Sequence, residues 1–237
     1  MAGIAFKIDR DELHERLGGE LPRGALGLAE GEPGSGRSVL MQRLVYGALA
    51  NDYKCAYLTT EHSTTGFLRQ MHTLGYDVGP RVATSQLLLL TGFPAFGARA
   101  PPGDVLARLA QAKAMWEREF VVIDDFGLLL QWSLEARGEG ETRALADQIA
   151  QRIRQVNARG ATVILTADRD GPHAPLLQPV RASAEILLSL SVELVGASLA
   201  RRMLVKRLAG VPDRTGDTMG FRVEPGMGIL VEIRSVT

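Results

Sequence analysis

Apolar runs and helical stripes alternate through the first two thirds of the chain. Ala25 to Glu30 (ALGLAE) is a short apolar run that ends in a glycine-rich turn. The following segment, SVLMQRLVYGALA, sets Val39, Leu40, Leu44, Val45 and Leu49 near helical spacing. CAYLTT then reads as a strand, and STTGFLRQMHTLG as a helix capped by Ser63 or Thr64. Its apolar stripe is Phe67, Leu68, Met71 and Leu74, which suits packing on a sheet. SQLLLLTG is a third strand. FPAFGARAPPGD is a turn-rich loop whose Asp104 caps a helix running through Met115 and Trp116.

FVVIDDF (Phe120 to Phe126) is almost continuously apolar before two acids, the pattern of a central parallel strand covered on both faces. A polar linker of Arg137, Gly138, Glu139 and Gly140 leads to a helix marked by Leu145, Ile149, Ile153 and Val156, which Gly160 terminates. ATVILTAD is the next buried strand. After Asp168 the texture changes. RDGPHAPLLQPV, with three prolines, reads as a loop, and EILLSLSVELV, RRMLVKRLAG, GFRVE and GILVEI read as antiparallel hairpins on the sheet edge. Repeated strand–helix units with such a tail predict an α/β fold, a mostly parallel doubly wound sheet extended by antiparallel C-terminal strands.

The chain has 237 residues, 46% of them hydrophobic, which is enough for one large core and predicts one domain over residues 1–237. Lys plus Arg and Asp plus Glu both number 27, so charge gives no general case for a nucleic-acid groove or an acidic-lipid surface. The single cysteine, Cys55, excludes an intrachain disulfide, points to a reducing compartment, and reads as a buried strand residue. No secretory signal is evident, and no window reaches the roughly 18 consecutive apolar residues of a membrane span.

The strongest chemical signal is GEPGSGRS: Gly31, Glu32, Pro33, Gly34, Ser35, Gly36, Arg37 and Ser38, followed by Val39. It has the phosphate-loop spacing and lies between a strand and a helix. Glycines let successive amides face one anion, and the helix N-terminus adds a favourable dipole. Ser38 would complete a Mg²⁺ shell. Arg37 stands where such loops carry lysine; it keeps the charge but presents a rigid planar fork. Asp124, at the end of FVVID, suits the Mg²⁺-side carboxylate, while Asp125 caps or orders the next loop. Together the two motifs predict an ATP and Mg²⁺ site. Glu61, at the end of CAYLTT, reaches the same rim of the sheet and is the candidate to orient water. The histidines His14, His62, His72 and His173 are too scattered for a recognisable metal site.

Four stretches resemble the FlaH family, the accessory ATP-binding proteins of the archaellum motor, within the KaiC and RecA-like group. They are LPRGALGLAEGEPGSGRSVLMQRLVYGAL, YLTTEHSTTGFLRQMHTLGYDV, FVVIDDF and VKRLAGVPDRTGDTMGFRVEPGMGILVEI. The resemblance implies a cytoplasmic ATP-binding protein that forms hexameric rings beside the motor ATPase at a membrane platform protein. It matches Gly31 to Ser38 with the phosphate loop, Asp124 with the Mg²⁺-side acid, and Glu61 with the first glutamate of the KaiC catalytic pair. His62 takes the place of the second glutamate. With Arg37, that departure implies weak or absent hydrolysis. Lys206 and Arg207 lie where KaiC-like rings reach a neighbour's phosphates, although spacing alone reads them as an edge-strand charge pair. The competing function is a KaiC- or RecA-like ATPase or kinase acting in signalling or on DNA. A recombinase should offer a basic or aromatic loop, whereas the segment after Asp168 has only Arg169, His173 and Arg181 as cations.

Overall fold

The computed structural model describes residues 3–92, 105–195 and 198–232. A short N-terminal segment comes first: β1 (Ile4–Ala5), α1 (Leu13–Arg16) and β2 (Glu20–Leu21), with β1 and β2 pairing antiparallel. The alternating units follow: β3 (Leu26–Gly31), α2 (Arg37–Ala50), β4 (Cys55–Thr59), α3 (Thr64–Thr73), α4 (Gly79–Ala83) and β5 (Leu87–Thr91). Next are α5 (Val105–Gln111), α6 (Lys113–Trp116), β6 (Phe120–Asp124), α7 (Phe126–Arg137), α8 (Glu139–Asn157), β7 (Thr162–Ala167) and α9 (Ala174–Ser183). The chain closes with β8 (Ile186–Val195), β9 (Ser198–Leu208), β10 (Thr218–Glu224) and β11 (Gly228–Glu232).

Among the described residues the large sheet has nine strands in the order β11-β10-β9-β8-β3-β7-β6-β4-β5. From β8 to β5 neighbours run parallel, and from β8 to β11 they run antiparallel. Alternation along the central strands divides the core. Tyr57, Val122, Ile164 and Leu188 face α2, α3 and the N-terminal segment, whereas Leu58, Val121, Ile123, Val163 and Leu165 face the layer of α5 to α9. Burial on both faces explains why β4, β6 and β7 read as mostly apolar runs.

Ser63 caps α3, its hydroxyl accepting from the Gly66 amide at 3.2 Å, and Phe67, Met71 and Leu74 are buried below it. Cys55 is fully buried in β4, and burial pushes its thiol well up from its ordinary value. Gly160, at φ +93°, turns the chain from α8 toward β7.

Three expectations are corrected. The polar linker is one residue, Gly138 at φ +78°, between α7 and α8; Glu139 and Gly140 already belong to α8. The helix through Met115 and Trp116 is interrupted at Ala112 into α5 and α6. The proline-rich segment after Asp168 contains a helix, α9. Pro175 sits in its first turn, where no amide donor is needed, and Pro179 forfeits one bond inside it. Because α9 supplies a crossover, β8 runs parallel to β3, and the antiparallel extension begins one strand later, at β9. The FPAFGARAPPGD loop from Phe93 on, with its Asp104 cap, lies outside the described residues.

Candidate functional site

The carboxyl ends of β3, β4, β6 and β7 open on one rim, where a cleft of about 510 Å³ is formed. The phosphate-loop segment curls from β3 into α2 through two left-handed glycines, Gly34 at φ +81° and Gly36 at φ +91°. Gly36 is the residue before α2, so the free amides of the first helical turn face the cleft end of the helix. Glu32, Pro33, Gly34, Gly36, Arg37, Ser38 and Val39 line the cleft. Gly31 and Ser35 lie beneath: a Cβ on Gly31 would meet the Leu190 carbonyl at 2.5 Å and Ser35 Oγ at 2.7 Å. Ser35 Oγ is buried without a partner.

Asp124 is 2% exposed and its carboxylate accepts from three hydroxyls. Thr166 and Tyr57 donate at 2.7 Å each, and Ser38 at 3.2 Å. Burial and the Asp124 carboxylate beside it hold the Tyr57 phenol far above its usual range, so it remains a donor. No Lys or Arg among the described residues forms an ion pair with Asp124. A buried carboxylate surrounded by hydroxyls, one of them from the phosphate loop, fits the outer side of a Mg²⁺ shell.

Arg37 points from the first turn of α2 toward Asp125, with Nη2 3.3 Å from Oδ2; its Nη1 is buried and has no partner. Asp125 also accepts from the Leu128 amide at 3.2 Å, capping α7 as the acid at that position predicts. Burial raises the Asp125 carboxyl to about 6, against the pull of Arg37, with Asp124 adding to the rise. The Asp124–Asp125 peptide is cis. Glu61 stands at the exposed rim of the same cleft. Partial desolvation, then Asp124, raise its carboxyl above the usual value, while His62, Arg37 and the Ser38 hydroxyl oppose the shift. Its backbone amide donates to Thr59 Oγ1 at 3.3 Å.

Lys206 and Arg207 do not join this cleft within one chain. Arg207 pairs with Leu187, next to Ile186, which is opposite Gly27 at the start of β3; the phosphate loop leaves β3 at the other end. Arg207 Nη1 donates to the Ala184 and Ala182 carbonyls, and Lys206 is exposed. Two residues that motif reading did not select do reach the site. Arg201 of β9 donates from Nε to the Gly34 carbonyl at 3.0 Å. His173 is 4% exposed, its Nε2 3.2 Å from the Asp168 carbonyl and its Nδ1 unpartnered. Nothing local in the sequence marks Arg201, because its partner lies 167 positions away.

A mostly parallel sheet with a glycine-rich loop after β3, an acid ending β6 and antiparallel strands beyond β8 defines a RecA-like P-loop protein. A model of the family described as "ATPase: KaiC" matches residues 8–232. The chain belongs to the KaiC family of ATPases, and within that group it stands with FlaH. It is 29% identical to the archaeal flagellar ATP-binding protein FlaH of Methanocaldococcus jannaschii, over 97% of this chain and 95% of that one. It is 26% identical to the FlaH of Methanococcus voltae, over 98% of this chain and 97% of the relative. The crystal structure of the flagellar accessory protein FlaH from M. jannaschii superposes with a TM-score of 0.83 at 26% identity, covering 98% of this chain and 100% of that one.

Proposed function

We propose that this protein binds ATP with Mg²⁺ and serves as an accessory subunit of the archaellum motor, with nucleotide occupancy rather than rapid turnover as its output. The observation that carries the binding is the contact between the phosphate loop and the buried acid, Ser38 Oγ to Asp124 Oδ1, beside an unpartnered Arg37 nitrogen. Ser38 would hold the metal directly and Asp124 would order its shell; the ion would neutralise phosphate oxygens. The loop amides, the first turn of α2 and Arg37 Nη1 would hold the phosphates.

The place in the motor is carried by likeness to FlaH over nearly the whole chain. No helix among the described residues is long and apolar enough to cross a membrane. A cytoplasmic position at the membrane platform protein, reached through the motor ATPase, agrees with that. Homohexamers would let Lys206 and Arg207 of one copy approach a neighbour's nucleotide, and light scattering with and without MgATP tests this. A strict monomer in both conditions at high concentration would rule out the ring for the isolated chain.

Weak chemistry follows from Arg37 and His62. A guanidinium partly held by Asp125 is a poorer mobile charge for an in-line displacement than an ammonium. A DNA role has little support: Arg181 is bonded to buried Glu30, Arg169 to Ser189, and His173 is buried. A ligand can bias a two-state surface without being hydrolysed if it binds one state more tightly, and a 1:99 to 99:1 reversal takes about 5.5 kcal/mol. Titration with ATP in the presence and absence of Mg²⁺ tests the site. Affinity for the motor ATPase with ATP, ADP or no nucleotide tests the switch, and equal affinity in all three states would leave a static scaffold.

A further inference from the structure

A polyphosphate entering this cleft meets many acids. Glu32, Glu61, Asp125, Asp168 and Asp170 line it, and the guanidinium in the usual lysine position already shares its charge with Asp125. Arg37 has one unpartnered terminal nitrogen to offer. Arg201 supplies what this arrangement lacks. It comes from β9, lines the cleft, and its Nε–H is satisfied by the Gly34 carbonyl. Its Nη1 and Nη2 make no hydrogen bond or ion pair among the described residues. Its Cδ lies 3.2 Å from where a Cβ on Gly36 would stand, so the side chain runs along the loop at the glycine that opens α2.

We propose that Arg201 is a second phosphate-contacting cation of the nucleotide site, an inference that rests on the nucleotide reading above. Nε anchors the fork to the loop while the terminal nitrogens contact phosphate oxygens on the side of the loop away from Asp124. Only arginine can divide its donors in this way; a lysine ammonium has no rigid fork. The antiparallel extension thereby belongs to the nucleotide site. One other contact holds it there, the Phe221 ring of β10 at 2.9 Å from the Cβ position of Gly36, while the adjoining β8 is tied to the same loop by the Val192 amide, which donates to Glu32 Oε1 at 3.1 Å.

Calorimetric titration of wild type, Arg201→Gln and Arg201→Lys with MgATP, and with adenosine as the phosphate-free probe, tests this at two salt concentrations. Thermal melts check that each variant is folded, and Arg201→Lys serves if the glutamine variant is not. Arg201→Gln should weaken MgATP by about tenfold or more, the size of a lost charge-assisted bond, leave adenosine unchanged, and flatten the salt dependence. Arg201→Lys should fall between the two, keeping the salt dependence while losing affinity. Equal MgATP affinity in wild type and both variants would overturn the inference and leave the nucleotide site standing. So would an affinity loss with unchanged salt dependence and an equal loss for adenosine, which marks a loop brace only. Failure of wild type to bind MgATP at all would overturn the nucleotide reading and this inference with it.

Discussion

Helix α2 carries two arginines that each pair with an aspartate, and the two pairs are built differently. Arg43, in the middle of the helix, is fully buried. Its Nε and Nη2 donate to Asp11 at 2.5 and 2.8 Å and its Nη1 to the Phe6 carbonyl at 2.9 Å, clamping the N-terminal segment onto the core. Arg37, in the first turn, makes one contact of 3.3 Å to Asp125 and keeps a buried nitrogen without a partner. The same chemistry is saturated in one place and incomplete in the other. Saturation holds a structure together. An unmet donor at the mouth of a cleft marks where a ligand belongs.

The sharpest way to break that contrast is Asp11→Ala. It strands a buried guanidinium and should cost about 3–5 kcal/mol of stability in a urea melt, with much of the loss recovered when Arg43→Met and Asp11→Leu are combined. A loss no larger than that of an average surface substitution would mean the clamp is not structural. Arg37→Gln should behave in the opposite way. It should weaken MgATP by about 10- to 100-fold, the equivalent of about 1.5–3 kcal/mol, and destabilise the fold far less than Asp11→Ala. Comparable destabilisation by both variants would erase the distinction between the pairs.

Ser38→Ala sharpens the picture on the metal side. Affinity for ATP should become nearly independent of Mg²⁺, whereas wild type should lose several-fold on chelation, as read by titration with and without EDTA. The smallest effect on binding belongs to Glu61→Gln, which should leave MgATP affinity within about twofold because Glu61 is exposed at the rim, where solvent screens its charge. Any phosphate release, expected below about one per second in wild type, should fall to background in that variant. Faster wild-type turnover would contradict the weak-chemistry reading, and a gain in Arg37→Lys would identify the shape of the cation as the limit. Gly36 is a poor place to test the anion cradle, because a side chain there meets Phe221 of the core at 2.9 Å.

The central strands β4, β6 and β7 were legible because burial on both faces makes them mostly apolar, and the phosphate loop because its chemistry is contiguous. What escaped was non-local or disguised. Prolines hid α9, although Pro175 falls where a helix tolerates it, and with α9 went the direction of β8. Gly138 and its polar neighbours read as a linker because the turn between α7 and α8 occupies a single left-handed residue. Lys206 and Arg207 come from the resemblance to KaiC-like rings, where they would reach a neighbour's phosphates, and the register places them away from the cleft of their own chain. Arg201 reaches the loop only once β9 has returned antiparallel beside β8, which no local pattern encodes.

Cys55 has a practical consequence for watching this protein work. A thiol sealed inside β4 and held protonated by burial is a poor nucleophile toward alkylating probes in the folded state. New cysteines at exposed positions such as Leu194 on β8 and Met227 beyond β10 could therefore carry fluorophores without background from the native thiol. Energy transfer between such labels would report whether the β8–β9 hairpin shifts relative to the sheet edge as nucleotide arrives.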